Sequence, residues 1–466
     1  MLEKHQERVV DAGTVGIRGG SKMRIQLSDH FNYKRLIRFV LPSILMIICS
    51  SIYSIVDGFF VSNFVGKTAF AAINLIMPVL MLVGTIGTMI GTGGSAIISK
   101  TMGEGKKELA NQYFSMLIIA AFLMGIIASV IGFTFAGSIA SLLGAKGELH
   151  RNAVLYARIL FVSMPAYILQ FAFQSFWVAA EKPSLNLKIN ILAGLTNAFF
   201  DWLFIAVFQW GIAGAAAATA IGQCIGGIVP VIYFMKKNSS LLQLTLQTKF
   251  YKEAFQTTCS NGSSEMVTNI STSAIGILYN FQLMKFAGEN GLAAYGVIMY
   301  VNYIFMAVFL GYSIGSAPIV SYHYGAGHTN ELRNLYRKSL ILMGGSGIFM
   351  VIFAELLSEP LSTIFVNYDK GLLELTIHGF RLYCLAFLIM GVNVWASAFF
   401  TALNNGVVSA TISFLRTFAF QIIAVISLPV FWGVDGIWLS IVVAELLAFI
   451  VTIVFFVSKK SQYQYM

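Results

Sequence analysis

Four acidic residues fall inside stretches of the sequence that are otherwise apolar. They are Asp57, Asp201, Glu265 and Glu445. A charged side chain near the middle of a membrane-spanning helix costs about 2.5–3.5 kcal/mol on insertion scales, so such residues are rare and usually serve an ion, a proton or a substrate. These four acids are therefore the first candidates for chemistry in this chain.

The sharpest pattern is Asn197-Ala-Phe-Phe-Asp201. Residues four apart share one face of a helix, so an amide oxygen is predicted beside a carboxylate. Oxygen ligands of this kind suit a small hard cation, and a carboxylate also suits a proton relay. Asp57, from another helix of the same half, would complete the group. Since neither acid has an obvious basic partner nearby in the sequence, function is favoured over a simple hydrogen bond between helices.

The remaining charged residues in apolar stretches are predicted to matter less. Glu265 lies one turn into its helix, where a glutamate is also favourable for structure alone. Glu445 is expected to pair locally, and Arg416 either pairs with a neighbour or lines a cavity in the C-terminal half. His323 is predicted to be a surface histidine at the end of its helix.

Composition sets the class of protein. The chain has 466 residues, of which 57% are hydrophobic and 11% charged, whereas soluble domains carry about 25% charged residues. The four cysteines are scattered along the chain and form no CxxC pair, which argues against a zinc site or a disulfide framework. The glycines between Gly84 and Gly94 lack a following GK[ST], so close helix packing is predicted there instead of a phosphate loop. No nucleotide-binding motif and no hydrolytic triad is found.

Apolar runs recur along the sequence at the length that a membrane requires. A spanning helix needs about 20 apolar residues. The runs predict an all-α integral membrane protein with twelve transmembrane helices, at residues 39–63, 69–98, 110–135, 153–178, 188–208, 212–235, 257–284, 292–322, 339–358, 377–402, 408–430 and 436–457.

The basic residues predict the orientation. The net charge of +10 comes from lysines and arginines in short loops, so membrane lipids and not nucleic acid are the expected partner. With the N-terminus inside, 22 of them lie on the cytoplasmic side and 5 on the other, which places both termini in the cytoplasm. Residues 1–30 contain no apolar segment and are not predicted to be a signal peptide. Met23 is a candidate start, with 1–22 as an added leader.

An internal repeat with an offset of 222 residues divides the chain. Gly66-Lys-Thr-Ala-Phe-Ala-Ala72 aligns with Gly288-Glu-Asn-Gly-Leu-Ala-Ala294, and Gly103-Glu-Gly105 aligns with Gly325-Ala-Gly327. Two six-helix bundles related by a pseudo-twofold axis along the membrane normal are predicted, with a site between them. The predicted organisation is a tail at 1–35, lobes at 36–235 and 257–458, a cytoplasmic linker at 236–256 and a tail at 459–466.

The sequence resembles the multidrug and toxic compound extrusion (MATE) family over about residues 35–460. Several short motifs carry the resemblance together with the repeat. They are Leu41-Pro42 opening the first span, Val56-Asp57-Gly-Phe-Phe-Val61 near its end, the two glycine pairs after spans two and eight, Asn197-x-x-x-Asp201, and Gly211-Ile-Ala-Gly-Ala-Ala-x-Ala-Thr219.

The resemblance implies a transporter and not an enzyme: a secondary antiporter in the cell inner (plasma) membrane that exports small, often cationic drugs by alternating access. It implies an ion-coupling site at Asp57, Asn197, Asp201 and Thr219, with H⁺ or Na⁺ as the coupling ion, Na⁺ being held by these same residues, and no other cofactor. Other branches of the family couple through a glutamate in span seven, which Glu265 matches, with an aspartate in span ten. In this sequence span ten contains Asn393 and no aspartate.

Two other classes stay open from the sequence. A flippase for lipid-linked precursors of the same superfamily would share this outline, but it usually has more helices and a cationic cavity for pyrophosphate. A different antiporter or a channel is the other class, and a channel should show a repeated filter-like loop, which the sequence lacks. We expect the protein to act as a monomer.

Overall fold

The computed structural model describes residues 25–245, 247–367 and 369–466. The predictions for residues 1–22 and for Met23 concern residues outside this part. The described residues form α-helices, short π-helical turns and connecting loops, without a β-strand among them. In chain order the helices are α1 (Tyr33–Phe60), α2 (Lys67–Gly103), α3 (Lys107–Leu142), α4 (Gly147–Val162), α5 (Met164–Ala179), α6 (Pro183–Asp201), α7 (Gly211–Met235), α8 (Lys252–Gly325), α9 (Thr329–Val366), α10 (Lys370–Cys384), α11 (Phe387–Ala402), α12 (Gly406–Phe414) and α13 (Phe420–Tyr463).

These helices build the twelve predicted spans. Eight stretches are long and apolar enough to cross a membrane, and two pairs bent by 61° (α4 with α5) and 48° (α10 with α11) bring the number to ten. Two of these long stretches are interrupted at a glycine with positive φ, so each contains two spans. Gly288 (φ 63°) divides α8, and Gly433 (φ 57°) divides the stretch Gly406–Tyr463 into one span made of α12, the following π-turn and the start of α13, and a second span made of the rest of α13. The predicted fold class is therefore confirmed among the described residues.

The backbone repeats with the same offset as the sequence. Glycines that are 222 residues apart adopt positive φ in both halves, a conformation that side chains disfavour. These pairs are Gly66 with Gly288, Gly105 with Gly327, and Gly211 with Gly433. The helix boundaries on the two sides of the repeat are thus set by equivalent backbone turns.

Buried apolar side chains form two cores, one for each half of the chain. The first core draws on residues from Val61 to Ala254. The second is built mainly from residues between Ile275 and Tyr465, together with Leu27, Phe31 and other residues that precede or begin α1. The protein therefore consists of an N-lobe (α1 to α7) and a C-lobe (α8 to α13).

The lobes touch where α2 meets α8, and glycines allow their backbones to approach closely. A Cβ added at Gly262 would lie 2.0 Å from the carbonyl oxygen of Met89, and one at Gly325 would lie 2.0 Å from that of Lys100. The glycine-rich part of α2 packs in the same way on α5, where a Cβ at Gly87 would lie 2.2 Å from the Ile168 carbonyl oxygen. The prediction of close helix packing in this segment is confirmed.

We expect Gly325→Ala to destabilise this contact between the lobes. The added methyl group would meet backbone, which cannot rotate away, and overpacking of this kind costs about 1–3 kcal/mol. The melting temperature of the purified protein in detergent should fall by several degrees. Gly344→Ala in α9 is the matched control, because a Cβ there meets no atom within 4 Å. Equal melting temperatures for the two variants would contradict a tight backbone contact.

Three local predictions were wrong. Glu265 does not lie one turn into its helix, because α8 begins at Lys252, thirteen residues earlier. Leu41-Pro42 does not open the first helix, since α1 begins at Tyr33 and Pro42 lies inside it. His323 is not a surface residue: it is 2% exposed, its Nδ1 lies 3.1 Å from Nδ1 of His328, and the ring of Phe31 packs edge-on against it. The segment before α1, which the hydropathy pattern left out of the membrane, folds over this helix end and buries the histidine.

Candidate functional site

Three π-helical turns interrupt the helices, and each lies beside a charged residue of interest. The turns are Val61–Val65, Trp202–Val207 and Leu415–Ala419. Asp201 immediately precedes the second turn, Asp57 lies four residues before the first, and Arg416 lies within the third. Single π-turns inside α-helices often occur at functional sites, because the extra residue changes the direction of nearby side chains. The periodicity of the sequence gave no sign of them.

In the N-lobe, α1 and α6 pack side by side in parallel. The Ser50 hydroxyl donates to Oδ1 of Asn190 at 3.1 Å, and a Cβ at Gly194 would lie 3.3 Å from that of Tyr53. Asp57 and Asp201 follow these contacts on the same two helices, one in α1 and one in α6. Their carboxyl groups are close enough to interact with each other. The structure therefore brings the two predicted acids together.

Helix α7 adds the third wall of this site. A Cβ at Gly222 would lie 3.2 Å from both the Ala193 carbonyl oxygen and the Asn197 Cβ. Thr219 precedes Gly222 by three residues and so lies on the same side of α7. The sequence-predicted residues Asn197 and Thr219 thus sit on facing helices that contact each other beside Asp201.

The polar atoms of this cluster are buried without hydrogen-bond partners. The exposed fractions are 7% for Asp57, 2% for Asn197, 0% for Asp201 and 5% for Thr219. When both acids are ionised, one carboxylate oxygen of Asp57 and both of Asp201 have no hydrogen-bond partner among the described residues, and neither have both amide atoms of Asn197 and the Thr219 hydroxyl. A proton on one acid would allow the two carboxyl groups to hydrogen-bond to each other. Since an unpaired buried polar atom costs about 1–3 kcal/mol, this arrangement is expensive for a purely structural cluster.

Tyrosines complete the site, and the sequence analysis missed them. Tyr53 is buried near both Asp57 and Asp201, and Tyr156 lies near them as well, on α4. The Tyr156 hydroxyl is buried and has no hydrogen-bond partner among the described residues. Tyrosines are common in apolar sequence, so the residue pattern did not indicate that Tyr156 lies near the acids.

The atoms present fit a small hard cation or protons. Five buried oxygens lack partners within the described part of the chain: one from Asp57, two from Asp201, and one each from Asn197 and Thr219. Carboxylate, amide and hydroxyl oxygens are the ligands that hard cations prefer, and either carboxylate can also take up a proton. Groups of three or more His, Cys, Asp or Glu that could hold a metal ion do not occur among the described residues.

The C-lobe contains a different arrangement around Arg416. Its Nη1 donates to Oε1 of Glu445 at 3.1 Å, and both side chains are almost fully buried. Asn393 donates to the other carboxylate oxygen of Glu445 at 2.7 Å and accepts from Thr452 at 3.1 Å. The expected local pairing of Glu445 is thus observed, and Asn393 orients that pair from α11. Glu265 interacts electrostatically with Arg416 from α8.

Arg416 also lines a cavity of about 140 Å³, so both roles left open for it by the sequence are present. The aromatic and sulfur-containing lining consists of Tyr279, Tyr295, Tyr383, Met299, Met306 and Met390. In the register of the repeat, Tyr279 occupies the position that Asp57 has in the N-lobe. The two lobes are therefore alike in backbone and different in the chemistry of their interiors.

Buried polar clusters inside a two-lobed, twelve-span helical membrane fold are the features expected of a transporter. The family model MatE matches residues 42–203 and 266–426, one segment in each lobe. The chain belongs to the MatE family, and it is a membrane transporter rather than an enzyme.

Relatives and solved structures agree with this assignment. The chain is similar to the multidrug export protein MepA of Staphylococcus aureus (strain N315), with 24% identity over 89% of this chain and 91% of the relative. It is also similar to MepA of Staphylococcus haemolyticus (strain JCSC1435), with 26% identity over 89% of this chain and 90% of that relative. A multidrug resistance MATE family transporter in an outward-facing conformation superimposes with a TM-score of 0.89 and 20% identity, over 96% of this chain and 100% of that one. A MATE transporter in complex with MaL6 superimposes with a TM-score of 0.88 and 21% identity, over 96% of this chain and 100% of that one.

Proposed function

We propose that this protein is a secondary antiporter that exports small, often cationic, organic compounds and is driven by a proton or sodium gradient. The substrate class rests on the similarity to the multidrug export protein MepA. Asp57, Asn197, Asp201 and Thr219 are the proposed coupling residues, with H⁺ or Na⁺ as the coupling ion. We also propose the lobe boundaries 36–235 and 257–458, joined by the linker 236–256, and expect a monomer.

The observation that carries this proposal is the pair of buried carboxylates in the N-lobe. Asp57 and Asp201 lie close together, with oxygens that no described residue satisfies. Two such charges repel each other and lack a basic partner among the described residues in contact with them. Binding a proton or Na⁺ reduces the repulsion and supplies the missing partner. The ion therefore binds more tightly to the conformation that encloses this pair, and it stabilises that conformation.

Alternating access then follows from the way the lobes meet. The close contact of α2 with α8 holds the lobes together in this conformation, and an opening between the lobes at that point requires these helices to separate. An ion bound at Asp57 and Asp201 shifts the equilibrium between the two openings and lowers the affinity for substrate, which leaves outward. The empty carrier returns, releases the ion inward and accepts the next substrate.

The C-lobe favours this function over a flippase for lipid-linked precursors. Such a flippase needs a cationic cavity to hold a pyrophosphate group. Among the described residues that line the C-lobe cavity, Arg416 is the one basic side chain, and Glu445 already pairs with it. A doubly charged pyrophosphate would have little to bind there.

The proposal is tested by dye efflux from proteoliposomes that contain the purified protein. A pH gradient and a Na⁺ gradient are imposed separately, without ATP, and the export of a fluorescent cationic dye is followed. We expect export under at least one gradient and a matching flow of that ion in the opposite direction. Export that requires ATP and ignores both gradients would refute secondary transport.

We expect both termini and the linker to lie in the cytoplasm. Cysteine is introduced into a variant that lacks Cys49, Cys224, Cys259 and Cys384, at either of two exposed positions, Gln243 or Lys146. In whole cells, a membrane-impermeant maleimide should label Lys146→Cys and leave Gln243→Cys unlabelled until the membrane is opened. The reverse labelling pattern would overturn the orientation deduced from the basic residues.

A further inference from the structure

An open pocket of about 520 Å³ lies where the start of α1 meets the start of α9. Arg333, Arg337 and Lys338 line it from α9, and Tyr33 lines it from α1. Two asparagines of α9 add side-chain amides, and no acidic residue is found among the described residues that line the pocket. Three positive charges and several hydrogen-bond donors therefore face one space, an arrangement that suits a phosphate group.

These three cations have neutral partners or none. Arg333 donates from Nε to the backbone carbonyl oxygen of Gln464 at 3.1 Å, and Lys338 donates from Nζ to that of Phe31 at 2.6 Å. Arg337 is exposed and makes no hydrogen bond or ion pair with a described residue. Because a backbone carbonyl group carries no net charge, the three positive charges lack a counter-ion within the described part of the chain. An anionic ligand supplies one.

The acid at the start of α9 is engaged elsewhere. Oε1 of Glu331 accepts from the backbone nitrogen of Phe31 at 2.9 Å and from Asn334 at 2.7 Å, and Oε2 lies 2.6 Å from Nδ1 of His30. Both carboxylate oxygens thus fix the segment that precedes α1, and Glu331 is not among the residues that line the pocket. The charge of the pocket therefore stays positive.

Exposed apolar side chains continue from this pocket along both helices. On α1, Ile37 and Leu41 follow Tyr33 at intervals of four residues, so the three share one face. On α9, Ile341 lines the pocket itself, and Ile348 lies two turns further along the same face. A basic pocket that leads into two apolar faces matches the shape of a phospholipid, with its headgroup in the pocket and its acyl chains along the helices.

The position of the pocket also favours a lipid over a soluble phosphate compound. The distribution of basic residues predicts that α1 and α9 both start at the cytoplasmic surface of the membrane. The cytoplasmic leaflet carries anionic lipids, which attract basic residues close to the membrane surface. A soluble phosphate would use the charges of the pocket and leave the two apolar faces uncovered.

We propose that this pocket binds the phosphate of an anionic phospholipid of the cytoplasmic leaflet. Arg333, Arg337 and Lys338 surround the phosphate, and the acyl chains lie along α1 and α9. Because α1 belongs to the N-lobe and α9 to the C-lobe, the lipid contacts both lobes at once. It therefore stabilises the conformation described here, in which Nζ of Lys338 lies 5.4 Å from the centre of the Tyr33 ring. The site is independent of the function proposed above.

Phosphatidylglycerol and phosphatidylcholine with the same acyl chains are a matched pair of probes, because they differ in net charge. Each carries a photoreactive diazirine near the start of one chain and is illuminated with the purified full-length protein in detergent. Mass spectrometry then identifies the crosslinked peptides. We expect phosphatidylglycerol to label residues 33–45 and 337–349 at least about fivefold more than phosphatidylcholine does. The lipid-exposed face of α3, which includes Ile127 and Val130, is the internal reference and should react about equally with both lipids.

Three variants show whether the label depends on the charge of the pocket. Arg337→Gln removes one charge without breaking a bond to any described residue, and it should lower the phosphatidylglycerol signal on α1 and α9 by about fivefold. Arg337→Lys keeps the charge and should stay within about twofold of the wild type. Lys107→Gln removes an exposed lysine of α3 outside the pocket and should leave the signal unchanged.

Equal labelling of residues 33–45 and 337–349 by the two lipids, or an unchanged signal in Arg337→Gln, would overturn the proposal. Loss of the phosphatidylglycerol signal in millimolar inorganic phosphate would also overturn it, because a soluble phosphate would then be the ligand. The experiment uses no ion gradient and no transported compound, so its failure is distinguishable from a failure of the proposed export.

Discussion

Asp57→Asn and Asp201→Asn should each abolish gradient-driven export while leaving the protein folded and inserted. Asparagine has nearly the shape of aspartate, and it removes a buried charge that costs about 2.5–3.5 kcal/mol near a helix centre. Neither variant can take up a proton or balance the charge of Na⁺ at that position. Dye efflux from proteoliposomes should fall by at least about tenfold, to the level of liposomes without protein.

Two further variants show whether the effect belongs to this site. Asp435→Asn is the matched control, because Asp435 is half-exposed and bonds to His378 far from the N-lobe cluster. Its efflux should equal that of the wild type. Glu265→Gln should reduce efflux less than either N-lobe variant does, since Asn393 and not an aspartate is available in the tenth span. Normal efflux in both N-lobe variants together with a dead Glu265→Gln would place coupling in the C-lobe.

Glu445→Ala should be the most destabilising single substitution among the charged residues of the C-lobe. It leaves Arg416, 5% exposed, without its hydrogen-bonded carboxylate, and breaking a buried pair in this way costs about 3–5 kcal/mol. Arg416→Gln/Glu445→Gln should be far milder, because two neutral side chains can bond to each other without any buried charge. Thermal unfolding of the purified proteins in the same detergent provides the comparison.

The control for burial is Glu355→Ala. Glu355 lies 3.5 Å from Arg381 in a pair whose side chains are 41% and 52% exposed. Exposed pairs contribute about 0–1 kcal/mol, so this variant should unfold close to the wild-type temperature. If Glu445→Ala loses no more stability than Glu355→Ala, the Arg416 pair contributes little, and its burial is compensated by something other than Glu445.

The sequence predicted the membrane architecture well, because the physical requirement is strong there. In the membrane interior every backbone group must be bonded within the helix, so runs of apolar residues predict the spans directly. The repeat with an offset of 222 residues is detectable in the sequence because turns at positions such as Gly66 and Gly288 need positive φ, which restricts the residue type. The cluster of Asp57 and Asp201 was also predictable, since a buried acid is unusual in an apolar run.

Other features depend on geometry that a residue pattern does not record. The π-turn after Asp201 redirects side chains without changing hydropathy, and the packing of α4 that places Tyr156 near the acids leaves no polar pattern in the sequence. The pairing of Arg416 with Glu445 depends on how the π-turn Leu415–Ala419 packs against α13, which hydropathy does not record. His323 was predicted wrongly because the segment that covers it is polar and lies far away in the sequence.

The most direct test of the central claim is the affinity of the purified protein for a cationic dye at different ion concentrations. Coupling through Asp57 and Asp201 predicts that a higher concentration of the coupling ion, whether that ion is H⁺ or Na⁺, weakens dye binding by about 5- to 150-fold in the wild type. The Asp57→Asn/Asp201→Asn double variant should bind the dye equally at all concentrations of both ions. Dye affinity that is independent of both ions in the wild type, or an ion dependence that persists in the double variant, would contradict the account.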